Sequence, residues 1–172
     1  LGGTGALKIG ADYLRRLLPD ATVYLSDPSW ENHRALFEFA GFQVQNYPYY
    51  QPTTRAVDFA AMCEGLQKLP AGSIVVLHAC CHNPTGADLD AAQWRDVVDI
   101  IGSRGLVPFI DIAYQGFADG IAEDALAVQL FAAAGQPFVV ASSFSKSFSL
   151  YGERVGALSG VTASRDESAR VL

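Results

Sequence analysis

The feature that most constrains the fold is a repeated alternation of short, almost wholly apolar runs with amphipathic stretches. The runs are Thr22-Val23-Tyr24-Leu25, Ile74-Val75-Val76-Leu77, Val107-Pro108-Phe109-Ile110 and Phe138-Val139-Val140-Ala141. Strands read this way when both faces of a parallel sheet are covered, because neither face then needs polar side chains. Between them, Trp94, Val97, Val98 and Ile101 recur at helical spacing behind an acidic start at Asp88 and Asp90. Leu7, Gly10, Leu14 and Leu17 trace a similar stripe that Pro19 closes, and Leu126, Leu130, Phe131 and Ala134 mark another before Gly135. Strand and helix alternating over most of 172 residues predict one domain, a three-layer α/β/α sandwich with a mostly parallel sheet.

In such sheets ligands bind beyond the carboxyl ends of the strands. The segments just past the apolar runs are Ser26–Trp30, His78–Gly86, Asp111–Gly116 and Ser142–Lys146, and polar and ionisable groups concentrate there. Four strand ends are therefore expected to converge on one site.

Composition narrows the partners. The net charge is -6 and no run of Lys or Arg occurs, which argues against nucleic acid and anionic membrane surfaces. No apolar stretch approaches the ~20 residues of a membrane span. Three cysteines, with Cys80 and Cys81 adjacent, do not make a disulfide framework, so a reducing cytoplasm is the expected setting. The opening Leu1-Gly2-Gly3-Thr4-Gly5 reads as the middle of a motif, which predicts a fragment.

The opening glycines lead directly into a helix. They form either a tight turn with a cap or a cradle in which backbone N–H groups and the helix dipole meet a phosphate. The pattern is neither a P-loop nor a dinucleotide fingerprint. Asp111 ends an apolar run, where an unpaired carboxylate is costly. It either caps a turn or pairs with a cationic ring nitrogen. Lys146 stands in Ser142-Ser143-Phe144-Ser145-Lys146-Ser147-Phe148. It is a surface lysine on a serine-rich turn, or a partly desolvated amine suited to forming a Schiff base. Arg154, eight positions on, suits a bidentate phosphate grip. His78, Cys80 and His82 would share one face of an extended segment, too stretched to converge on one metal ion without a sharp turn. No metal is expected. Asn83-Pro84-Thr85-Gly86 makes a tight turn that presents Asn83 at the sheet end. Trp30 is either core or a plate for an aromatic ligand.

Five ordered segments together carry a resemblance. They are Gly2–Lys8, Ser26–His33, His78–Gly86, Asp111–Phe117 and Ser143–Gly156, and in this order they closely resemble the class I aminotransferases, in the branch of aspartate and aromatic-amino-acid enzymes. The resemblance implies pyridoxal 5′-phosphate (PLP) as cofactor and transamination between an L-amino acid and a 2-oxo acid. Lys146 would be the Schiff-base lysine and proton-transfer base, and Asp111 would bind the pyridine nitrogen, supported from behind by His33 and His78. Asn83 and Tyr114 would hydrogen-bond the phenolic oxygen, and Trp30 would stack on the ring. Gly3, Thr4, Ser143 and Arg154 would hold the phosphate. The resemblance also implies a cytoplasmic homodimer. It further implies that an N-terminal segment and a small domain lie outside residues 1–172, so the isolated chain is expected to turn over poorly. The wording of Glu31-Asn32-His33 and Ser147–Gly152 resembles the aromatic branch more than strict aspartate enzymes.

Overall fold

A computed structural model describes residues 1–171. Helix α1 (Gly2–Leu17) precedes strand β1 (Thr22–Asp27), helix α2 (Glu31–Phe39) and strand β2 (Gln43–Pro48). A small hairpin, β3 (Tyr50–Gln51) and β4 (Ala56–Val57), leads to α3 (Phe59–Gln67) and β5 (Ile74–His78). Next come α4 (Ala91–Arg104), β6 (Val107–Ile112), α5 (Leu126–Ala133), β7 (Phe138–Ser143), β8 (Gly156–Val161) and α6 (Arg165–Val171).

The main sheet has the order β2-β1-β5-β6-β7-β8. Every neighbouring pair is parallel except β7 and β8, which run antiparallel. Alternate residues of β5 show why its sequence is apolar throughout. Ile74 and Val76 join a core with Leu7, Leu14, Phe37 and Phe109 under α1 and α2. Val75 and Leu77 join the opposite core with Met62, Leu66, Trp94, Val97, Ile101 and Phe131 under α3, α4 and α5. The sheet is thus a middle layer buried on both faces, as the four apolar runs predict.

The helix ends follow local chemistry. Asp90 caps α4 by accepting from Ala92 N and Gln93 N, and Asp90 N in turn donates to Gln93 Oε1, a reciprocal capping box. Gly105, at φ 62°, ends the same helix in the left-handed conformation.

The seat of α1 is set by close approach. At Gly156, the first residue of β8, an added Cβ would lie 2.6 Å from Gly3 N and 2.7 Å from Ser142 O. Further along α1, a Cβ at Gly10 would lie 2.6 Å from Cζ of Phe109. Helix and sheet meet here backbone to backbone and backbone to ring. This brings the first turn of α1 beside the end of β7.

Candidate active site

The strands deliver their polar ends to one place. β1, β5, β6 and β7 each run one to two residues past the apolar stretch, so that Asp27, His78, Asp111 and Ser143 belong to the strands themselves. Beyond these ends lies a cavity of about 320 Å³. Gly3 and Thr4 of α1, Trp30, Asn83, Asp111, Tyr114, Ser143, Lys146 and Arg154 all line it, as does His78. His33 does not. It is buried behind Asp111, with its Nε2 2.7 Å from the carboxylate Oδ2.

Asp111 is buried, and the His33 contact answers the cost of a carboxylate at the end of an apolar strand. A bridge holds the two histidines in register. Ser29 Oγ lies 3.1 Å from His33 Nδ1 and 3.2 Å from His78 Nε2. Trp30 meets the His33 ring edge-on, with centroids 5.2 Å apart. Burial, then the neighbouring rings of His33 and His82, hold His78 well below the usual imidazole range.

Two cations also line the cavity. Lys146 Nζ stands 4.8 Å from the centre of the Tyr114 ring and 5.7 Å from that of Tyr151. Arg154 donates to Ser145 Oγ at 3.3 Å and to Tyr151 O at 3.0 Å, and its guanidinium lies 5.4 Å from the Tyr151 ring. Arg154 adopts φ 54°, an uncommon backbone state for a side-chain-bearing residue and one that concentrates at functional sites. Among the described residues neither Lys146 nor Arg154 forms an ion pair with a carboxylate. The first turn of α1 has no side-chain cap, and an added Cβ at Gly3 would fall 2.8 Å from Ser143 Cβ. Backbone donors of the helix, the Ser143 hydroxyl and Arg154 therefore gather at one end of the cavity, an arrangement suited to an oxyanion.

Two supports were not legible as such in the sequence. Asp124 folds the segment after Tyr114 around itself, accepting from the N–H groups of Gly116, Ala118, Asp119 and Gly120 at 2.7–3.4 Å. Burial alone would raise its carboxyl, but the four donors outweigh it and hold the group low. His82 is the second. The extended His78-Cys80-His82 face expected from the sequence does not form, because Cys81 turns the chain at φ 48°. The rings of His78 and His82 come 4.3 Å apart, and His82 hydrogen-bonds the hydroxyls of Ser26 and Thr85. Tyr151 and Ser145 were also missed as cavity residues, although both flank the lysine motif. Cys80 faces the cavity, and burial, with Asp124 nearby, pushes its thiol up, so it is held as a neutral thiol.

The donor set fits PLP: an anion-binding end, an amine beside an aromatic ring, and a buried carboxylate that could partner a ring nitrogen, all on one cavity.

Comparison with known proteins agrees with this geometry. The family model for aminotransferases of class I and II matches residues 1–171. The chain is 70% identical over 172 residues to an aspartate aminotransferase of Pseudomonas aeruginosa and 56% identical to a tyrosine aminotransferase of Klebsiella pneumoniae. Both alignments cover 100% of the chain and 43% of the relative, so the chain spans under half the length of these proteins. Among solved structures, an aromatic-amino-acid aminotransferase from Burkholderia pseudomallei covalently bound to pyridoxal phosphate superposes with a TM-score of 0.99 at 66% identity. That match covers 100% of this chain and 43% of the other.

Proposed function

The chain belongs to the class I and II aminotransferases, and from that premise we propose that it binds PLP and serves transamination between an L-amino acid, aspartate or aromatic, and a 2-oxo acid. The observation that carries the reading is the placement of Lys146, Asp111 and Arg154 around one cavity, with the carboxylate buried and, among the described residues, neither cation paired with a carboxylate. Relatives of both substrate types support the breadth of the substrate class.

When bound, PLP supplies an electron-withdrawing ring that takes up the charge left when a substrate loses its α-proton. The roles of the chain's own residues follow. Lys146 would hold the cofactor through its Nζ, and the free amine would take the substrate's α-proton and give it back. The Tyr114 ring, 4.8 Å from that amine, helps hold it at the cavity. Asp111, held by His33, keeps a proton on the ring nitrogen, which preserves the pull of the ring. Asn83 and Tyr114, which line the cavity, would donate to the phenolic oxygen, and Trp30 would stack on the ring. Backbone N–H groups at Gly3 and Thr4, with Ser143 and Arg154, hold the phosphate and so fix the far end of the cofactor.

The same reading makes residues 1–172 part of a cofactor-binding large domain working in a cytoplasmic homodimer. Three cysteines, none in a disulfide, suit a reducing compartment. The test is borohydride reduction of the protein with PLP, followed by peptide mass mapping. A pyridoxyl adduct confined to Lys146 and lost in Lys146→Ala is expected. An unmodified Lys146, or adducts spread equally over Lys8 and Lys68, would sink the reading.

A further inference from the structure

We propose that His82 is a positioning residue: its buried ring locks the turn that carries Asn83 to the end of β1 and thereby sets the Asn83 amide against the cofactor's phenolic oxygen. The inference rests on the reading of the cavity as a PLP site.

The geometry around His82 is closed on every side. The residue is 2% exposed. Nε2 lies 2.9 Å from Ser26 Oγ at the end of β1, and Nδ1 lies 2.8 Å from Thr85 Oγ1, two residues past Asn83. Tyr49 stacks on the ring, with centroids 4.0 Å apart and planes 18° from parallel. The hydroxyl of that tyrosine donates to Ala87 O at 2.6 Å, fastening the far side of the same turn. Asp88 accepts from the N–H groups of Cys81 and His82 at 2.6 and 2.8 Å, and Gly86 N donates to His82 O at 2.6 Å. Of residues 82–88, only Asn83 lines the cavity. The whole device therefore has one side chain as its working output.

The ring is suited to this work because it stays uncharged. Burial, then the neighbouring His33 ring, brings its pKa down to about 4. A neutral imidazole has one N–H and one lone pair, which match one accepting and one donating hydroxyl. Stacking fixes the plane of the ring and the two hydroxyls fix its rotation. A hydrogen-bonding amide must be held to within about 0.5 Å to act with full effect, and a free turn cannot do that.

The test uses the cofactor-loaded protein and reads the pH titration of its visible absorption. Removing a donor from an oxyanion disfavours the more negative form, so the midpoint rises. His82→Phe keeps the stack on Tyr49 and deletes both nitrogens. Thr85→Val removes one anchoring hydroxyl with little change of shape, whereas Thr85→Ser retains it. Both His82→Phe and Thr85→Val should raise the midpoint by about 0.5 pH unit or more, roughly a threefold change in proton affinity. Thr85→Ser should stay with the wild type. In an Asn83→Ala background neither substitution should move the midpoint further. An unchanged midpoint, or a shift of the same size with and without Asn83, overturns the proposal. The Thr85 pair decides the matter where His82→Phe fails to fold. Absence of any Lys146 adduct in the wild-type protein identifies the other failure, that of the cofactor reading itself.

Discussion

Replacing Gly10 with alanine should destabilise this protein, although the same change in most helices would stabilise it. Alanine in a helix interior gains up to about 1 kcal/mol over glycine, chiefly through the entropy of the unfolded chain. Here the added Cβ would sit 2.6 and 2.8 Å from Cζ and Cε2 of Phe109, and 3.0 Å from Cδ1 of Leu158. Leu158 is half-buried and can yield. Phe109 cannot: it is fully buried and packed edge-on against Phe37, with centroids 5.4 Å apart. The helix must lift or the ring must leave its rotamer, and overpacking of this kind costs about 1–3 kcal/mol. The steric cost wins, leaving Gly10→Ala about 1 kcal/mol less stable, or about 2–4 °C lower in Tm for a chain of this size. Urea unfolding measures this directly, and Phe109→Leu supplies the internal check. That second change makes room, so it should cost about 1 kcal/mol less in the Gly10→Ala background than in the wild type. A Gly10→Ala protein as stable as the parent would refute the argument. Additive effects of the two substitutions would do the same.

Two further outcomes follow from the buried groups around the cavity. Asp124→Asn leaves fewer acceptors for the four N–H groups that Asp124 gathers, so the segment after Tyr114 should loosen. A loss of about 1–3 kcal/mol is expected, together with faster proteolysis between residues 116 and 123. Acid should weaken the fold through His82, whose folded pKa of about 4 lies below its ordinary 6.5. Above pH 6.5 neither state is charged and nothing is lost; below it the unfolded chain takes up a proton that the folded chain refuses. Stability therefore falls as pH drops from 6.5 to about 4, by up to about 3 kcal/mol from this residue. Urea midpoints across that range should flatten in His82→Gln, and an unaltered slope would count against the assignment.

What could be read from the sequence follows from what each residue has to satisfy. The strands β1, β5, β6 and β7 were legible because burial on both faces leaves no place for a polar residue. Their polar ends were legible as a site because ionisable groups directly after such runs have few structural uses. β2 and β8 were not read. β2 is an edge strand with Gln43, Gln45 and Asn46 exposed, and β8 pairs with β7 alone, so Gly, Ala and Ser suffice there. The two-residue strands of the hairpin β3–β4 are too short for any alternation to show, and helices α2 and α3 were not read either. Within the site, Lys146, Asp111 and Arg154 were visible as types at strand ends. Ser29, His82 and Asp124 act through partners distant in sequence or through backbone donors, and one-dimensional spacing holds no trace of those. His82 shows the limit well: with Cys81 in a left-handed state, the His78 and His82 rings lie 4.3 Å apart and tilted by 40°, and Tyr49 stacks on His82.

The contact at Gly156 reaches beyond this molecule to its history. Any single-nucleotide change of a glycine codon that is not synonymous adds at least a Cβ or stops the chain. At this position a Cβ meets backbone atoms of α1 and β7, which have nowhere to retreat. The residue is therefore closed to substitution, while synonymous changes of its codon remain free, and it stands directly beside Gly3 and Ser143 of the cavity.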